Sequence, residues 1–244
     1  MTDNNPAPVP IPASQTTRIN APFSRSDIHN SEISAHLDRI NHEFLDGFEF
    51  LKKYPKSVSI FGSSQALPSD PNYEHAAELT SRIAKELDYA VITGGGPGIM
   101  EAANKGAYQA GGLSVGMNVS LPHERMTNAY VTHSIKFSYF FSRKTMLAFA
   151  AESYVFFPGG FGTFDELFGI LTLIQTDKIP RVPMILFDSA FWNPLRSFLF
   201  EIMSKKYHAI NKADLEMFEI TDSIDRTIEI IRKAPQSEWW RNIN

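Results

Sequence analysis

Nine consecutive residues, Pro158-Gly159-Gly160-Phe161-Gly162-Thr163-Phe164-Asp165-Glu166, combine what anion binding needs with what bond cleavage needs. Three glycines within four positions remove Cβ atoms where the chain must turn, and they let a ligand approach the backbone. The preceding run 153–157, Ser-Tyr-Val-Phe-Phe, is short, apolar and rich in β-formers, the pattern of a buried strand in a parallel sheet. Beyond the glycines, Leu167, Ile170, Leu171 and Ile174 recur as one apolar helical face. A strand, a glycine turn and a helix start in succession aim free N–H groups and a positive dipole end at whatever sits above the loop, which suits a phosphate or carboxylate. Thr163 adds a hydroxyl donor. Glu166 falls about one turn into the helix, near the rim of that cradle. A carboxylate beside an anion site either serves chemistry there or caps its own helix, and catalysis is the reading adopted.

Other loops offer partners to this one. Gly62-Ser63-Ser64 follows a strand-like run, and Ser63 and Ser64 read as hydrogen-bond donors to a ligand. Gly94-Gly95-Gly96-Pro97-Gly98 follows another, with Met100 and Glu101 opening the next helix. The dinucleotide pattern G-x-G-x-x-G fails there, because its third glycine would fall on Ile99 or Glu101. Gly95 and Gly96 can still bring backbone amides to a ribose or phosphate. Glu101 either accepts from sugar hydroxyls or is simply a favourable acid in a first helical turn. Arg143 and Lys144 stand near the start of a helix, where basic residues oppose the dipole. They either face an anion, with Arg143 offering a bidentate fork, or lie on a solvated face.

Along the chain, strand patterns at 57–62, 90–93, 113–117, 130–135, 153–157 and 184–187 alternate with helical ones at 73–87, 98–110, 140–151, 163–176, 191–205 and 223–233. This predicts an α/β fold, a Rossmann-like doubly wound, mostly parallel sheet with helices on both faces. In such sheets ligands bind outside the carboxyl ends of the strands, so the three glycine- and serine-bearing loops should converge on one crevice. Residues 1–22, with five prolines, read as a disordered Pro-rich tail. Residues 23–55 form an N-terminal helical extension, since Ile33, Leu37, Ile40, Phe44, Leu45, Phe48 and Leu51 recur at helical spacing; it packs either on a partner subunit or on the core. Residues 56–244 are expected to form one nucleotide-binding domain.

Composition excludes several classes. A net charge of −4 argues against a nucleic-acid binder. The absence of cysteine removes disulfides, thiolate nucleophiles and Cys-ligated metals, and fits a cytoplasmic protein. No apolar run reaches the roughly 18 residues of a membrane span, and the first residues lack a secretory signal pattern. The seven histidines, His123 and His133 among them, show no metal-ligand spacing, so no metal is expected. No P-loop and no G-x-S-x-G elbow occurs.

The nonapeptide resembles the P-G-G-x-G-T-x-x-E motif of the LOG family, the cytokinin riboside 5′-monophosphate phosphoribohydrolases long labelled "lysine decarboxylases". The 94–100 loop and Arg143-Lys144 fall where that family has its glycine triplet and Arg-Lys pair. Phe140-Phe141 replaces the Met-His of many plant-like members and Glu101 replaces a glycine, which places the resemblance in a bacterial-type branch. The resemblance implies a hydrolase that cleaves the N-glycosidic bond of a purine nucleoside 5′-monophosphate, possible N6-modified ones included, without a cofactor. Glu166 and Arg143 would be catalytic. Gly62, Ser63, Ser64, Gly95, Gly96, Met100, Glu101, Lys144, Pro158, Gly159, Gly160, Gly162 and Thr163 would bind substrate, with Arg143 keeping the Glu166 carboxylate ionised. It also implies a homo-oligomer, dimer or higher. The alternative is a non-catalytic nucleotide sensor or carrier of the same fold.

Overall fold

The computed structural model describes residues 30–120 and 127–235. The Pro-rich tail, residues 23–29 of the predicted extension and His123 lie outside the described residues. The chain divides into two compact units, 1–39 and 40–244. In the first, the described residues are the opening turns of α1 (Asn30–Leu51), where Arg39 Nη2 lies 3.0 Å from His36 Nδ1. The division falls inside α1, whose later turns belong to the second unit: Gly47 and Leu51 are buried, and Phe44, Phe48 and Phe50 pack on the core.

The second unit is built on one sheet of seven strands, all parallel, in the order β4-β3-β2-β1-β5-β6-β7. The strands are β1 (Ser57–Phe61), β2 (Ala90–Thr93), β3 (Ser114–Val119), β4 (His133–Phe137), β5 (Ser153–Phe156), β6 (Met184–Phe187) and β7 (Glu219–Thr221). The order reverses between β1 and β5, which pair from Val58↔Ser153 to Phe61↔Phe156. The connecting helices are α2 (Pro71–Arg82, continued by a π-helical turn), α3 (Ile99–Gln109), α4 (Phe140–Ala148), α5 (Phe161–Gln175), α6 (Ser189–Phe198, likewise continued) and α7 (Ile224–Arg232).

Strand periodicity splits the core in two. Val58, Ile60, Val155, Phe157, Ile185 and Phe187 face α2, α3 and α7, whereas Phe61, Tyr154, Phe156, Met184 and Leu186 pack with residues of α4, α5 and α6. Strands β1, β2, β5 and β6 are buried throughout, which is why they read as continuous apolar runs. Edge strand β4 begins three residues later than its pattern suggests and is mostly exposed, so packing left little sequence signal there. Strand β7 went unpredicted because three residues are too few to show alternation. Among the described residues no helix is long and apolar enough to cross a membrane.

Candidate functional site

The three loops at the switch point are tied together by backbone. Ser63 N–H donates to Pro158 O at 2.9 Å, and Ile99 N–H donates to Ser63 O at 3.0 Å. Glycine is required where they touch: Gly98 has φ +71°, and a Cβ on it would lie 2.3 Å from Ser63 O. A Cβ on Gly62 would strike Ile99 at 2.7 Å, so Gly62 lets α3 start close to β1. The 94–98 loop is held from beneath. Gly95 N–H donates to Thr93 Oγ1, whose hydroxyl donates to the buried Asn104 Oδ1, while Asn128 Nδ2 donates to both Asn104 Oδ1 and Gly96 O.

These loops enclose a cleft of about 520 Å³, a size suited to a small ligand. Gly62, Ser63, Ser64, Gly96 and Met100 line one side, and Gly160, Gly162, Thr163 and Glu166 the other. Helix α5 begins after Gly160 with no side-chain cap and no acid in its first turn, which leaves its leading N–H groups for an anion. Arg143 also lines the cleft, its Nε donating to Met117 O at 2.7 Å. Its guanidinium fits only because residue 94 is glycine, since a Cβ there would lie 2.3 Å from Nη2.

Glu166 is 5% exposed, and its buried Oε2 has no hydrogen-bond partner among the described residues. Burial pushes its carboxyl up to about 7, opposed by the positive charges of Arg143 and Lys144 and assisted by Asp165. The expectation that Arg143 keeps this group ionised is therefore corrected: desolvation outweighs the attraction. Burial likewise lowers the Arg143 pKa from its ordinary value, with the Glu166 charge working the other way.

Several expected binding residues stand elsewhere. Glu101 turns to α2 and accepts from the Tyr73 hydroxyl at 3.1 Å. Lys144 faces away, its Nζ paired with Asp165 Oδ1 at 2.5 Å, on an apolar groove between α4 and α5. Each is displaced by helical phase, one residue from a cleft-facing neighbour. Gly95, Pro158 and Gly159 shape the loops from behind the lining. Conversely, Phe61, Gln65, Asn118 and Val119 line the cleft without having been singled out, and Gly94, Pro97, Phe140 and Phe161, named only as parts of longer motifs, line it too. Asn118 and Val119 end β3, so the rule that ligands sit at carboxyl ends of strands could have found them. Among the described residues no cluster of three or more His, Asp or Glu could hold a metal ion.

A family model described as "Possible lysine decarboxylase" matches residues 100–231. A cytokinin riboside 5′-monophosphate phosphoribohydrolase of Rhodococcoides fascians is 27% identical over 154 residues, covering 59% of this chain and 74% of the relative. One from Arabidopsis thaliana is 23% identical over 145 residues, covering 59% and 68%. The molybdenum cofactor binding protein of Rippkaea orientalis shares the fold, with a TM-score of 0.54, 23% identity and coverage of 72% of this chain and 95% of that one.

Proposed function

The chain belongs to the LOG family, whose model carries the description "Possible lysine decarboxylase" and whose curated relatives are named phosphoribohydrolases, and on that premise we propose that it hydrolyses the N-glycosidic bond of a purine nucleoside 5′-monophosphate. The observation that carries this reading is Glu166: a buried carboxyl whose Oε2 has no hydrogen-bond partner among the described residues, raised to about 7, in the same cleft as Arg143 and an uncapped helix start.

The 5′-phosphate would sit on the N–H groups of Phe161 and Gly162 and on the Thr163 hydroxyl, with Arg143 holding the sugar-phosphate. As the C1′–N bond breaks, its electron pair goes to the base nitrogen and positive charge builds on C1′. Ionised Glu166 stabilises that charge and takes a proton from the attacking water, whose oxygen bonds to C1′. The proton ends on the departing base, leaving free base and ribose 5-phosphate. Since the carboxylate form is required, activity should fall as pH drops through about 7; a rate that rises there instead would make Glu166 a general acid.

The test is chromatography of base and ribose 5-phosphate released from AMP, GMP, CMP, IMP and N6-isopentenyl-AMP by wild type and Glu166→Ala. Release that depends on Glu166 supports the reaction and ranks substrates; a Glu166→Ala variant with wild-type release sinks it. Nucleotide binding with no release from any of them favours the carrier reading, to which the named function of the Rippkaea neighbour lends support. The homo-oligomer belongs to the same proposal, with Phe141, Phe161 and Phe168 exposed along the apolar groove between α4 and α5. A monomer by light scattering would remove it.

A further inference from the structure

Helix α4 carries Arg143 into the cleft, yet its first turn supplies no cap of its own. Tyr139 at the N-cap is extended, makes no side-chain capping hydrogen bond, and is followed by no acidic residue in the first turn. The acceptor comes from α1. One Glu43 carboxylate oxygen accepts from Ser138 N–H at 2.5 Å, and the other accepts from Tyr139 N–H at 3.3 Å and from the Ser142 hydroxyl. Burial pushes the Glu43 carboxyl up, but the hydrogen bonds from Ser142, Ser138 and Tyr139 outweigh it and hold the group below the ordinary glutamate value. A negative charge therefore stands at the positive end of α4. One turn further along α1, Gly47 allows close packing on the same helix, since a Cβ there would lie 2.7 Å from Met146 Cγ and Sδ.

Arg143 directly follows the Ser142 that Glu43 grips, and it has little room. Its Nε is committed to Met117 O at 2.7 Å, and its Nη2 occupies the space a Cβ on Gly94 would need. A shift of the first turn of α4 by about an ångström breaks that fit.

We propose that Glu43 is a positioning residue: by capping α4 from α1 it sets how far Arg143 reaches into the cleft, which makes the N-terminal helix part of the site. The proposal concerns the geometry of the free protein and holds whether or not the site turns substrate over.

The first measurement needs no ligand. In ¹H–¹⁵N spectra of the full chain, Arg143 Nε–H should exchange slowly with solvent. Glu43→Ala should speed that exchange at least about tenfold, and Glu43→Gln, which keeps an acceptor oxygen, by less. Unchanged exchange in a folded Glu43→Ala overturns the proposal. The second measurement is a cycle of AMP affinities by calorimetry in the Glu166→Gln background, where AMP is not turned over. Glu43→Ala should weaken AMP binding about tenfold there and under about twofold once Arg143→Ala is added. Equal losses in both backgrounds would mean a merely structural role and overturn it. If Glu43→Ala does not fold, Glu43→Gln carries both measurements. A protein that bound no AMP would exclude AMP as its substrate, and the exchange measurement alone would then decide the role of Glu43.

Discussion

Glu101 and Glu166 share a local setting: each follows a glycine turn at the carboxyl end of a parallel strand and sits near the start of the next helix. Tertiary context gives them opposite fates. Glu101 accepts from Tyr73 on α2, beside Lys105, whose Nζ lies 5.8 Å from the Tyr73 ring centroid. Glu166 is buried in the cleft, without a hydrogen-bond partner for Oε2, and its carboxyl is raised to about 7. Phase makes the difference. Glu101 stands one residue past cleft-facing Met100, a rotation of about 100°, whereas Glu166 stands three past Thr163 and returns to the same face. An acid with a partner supports the fold; an acid held without one is left for a substrate.

The strongest way to break this comparison is a pair of isosteric substitutions. Glu166→Gln should lower kcat by about 10³-fold or more with nucleotide affinity largely kept, and Glu101→Gln should change kcat by under about twofold. Equal losses would erase the distinction.

Stability against pH sharpens it next. The folded Glu166 carboxyl titrates near 7 and the unfolded one near its ordinary 4.5, so between those values the folded chain binds the extra proton. Wild-type stability therefore falls as pH rises from 4.5 to 7, with the cost complete above 7 and absent below 4.5. Glu166→Gln should be more stable than wild type by about 3 kcal/mol at pH 8 and equal to it near pH 4. Chemical denaturation at both pH values checks this, and a pH-independent difference would contradict the raised carboxyl.

The glycine turns themselves should respond unequally. Gly98→Ala, with φ +71° and Ser63 O 2.3 Å from the new Cβ, should destabilise the fold by about 2–3 kcal/mol. Gly160→Ala, with φ −93° and no atom within 4 Å of the new Cβ, should change stability by under about 0.5 kcal/mol. Between those two falls the partner of Glu101: Tyr73→Phe should cost about 1 kcal/mol in thermal unfolding with kcat unchanged.

Much of the architecture was legible because burial on both faces leaves strands as apolar runs. Strands β2 and β6 match their predicted bounds, and the convergence of the loops after β1, β2 and β5 follows from strand order. Edge elements were less legible, since β4 and β7 bury too little to leave a pattern. Within the site, the motif pointed to Gly160, Gly162, Thr163 and Glu166, while Asn118, Val119 and Phe161 carry no spacing that marks them as lining.

The order of residues by itself determined most of the strands and helices, where glycine is placed to turn, and that an acid follows the turns at 94–98 and 159–162, because those depend on neighbours along the chain. Only the tertiary structure decided that Glu166 and Arg143 share a cleft, that Glu101 and Lys144 find partners outside it, and that Glu43 caps a helix about a hundred residues away. The reason is that burial, and the hydrogen bonds that satisfy or strand a polar group, are set by elements brought together from distant parts of the chain.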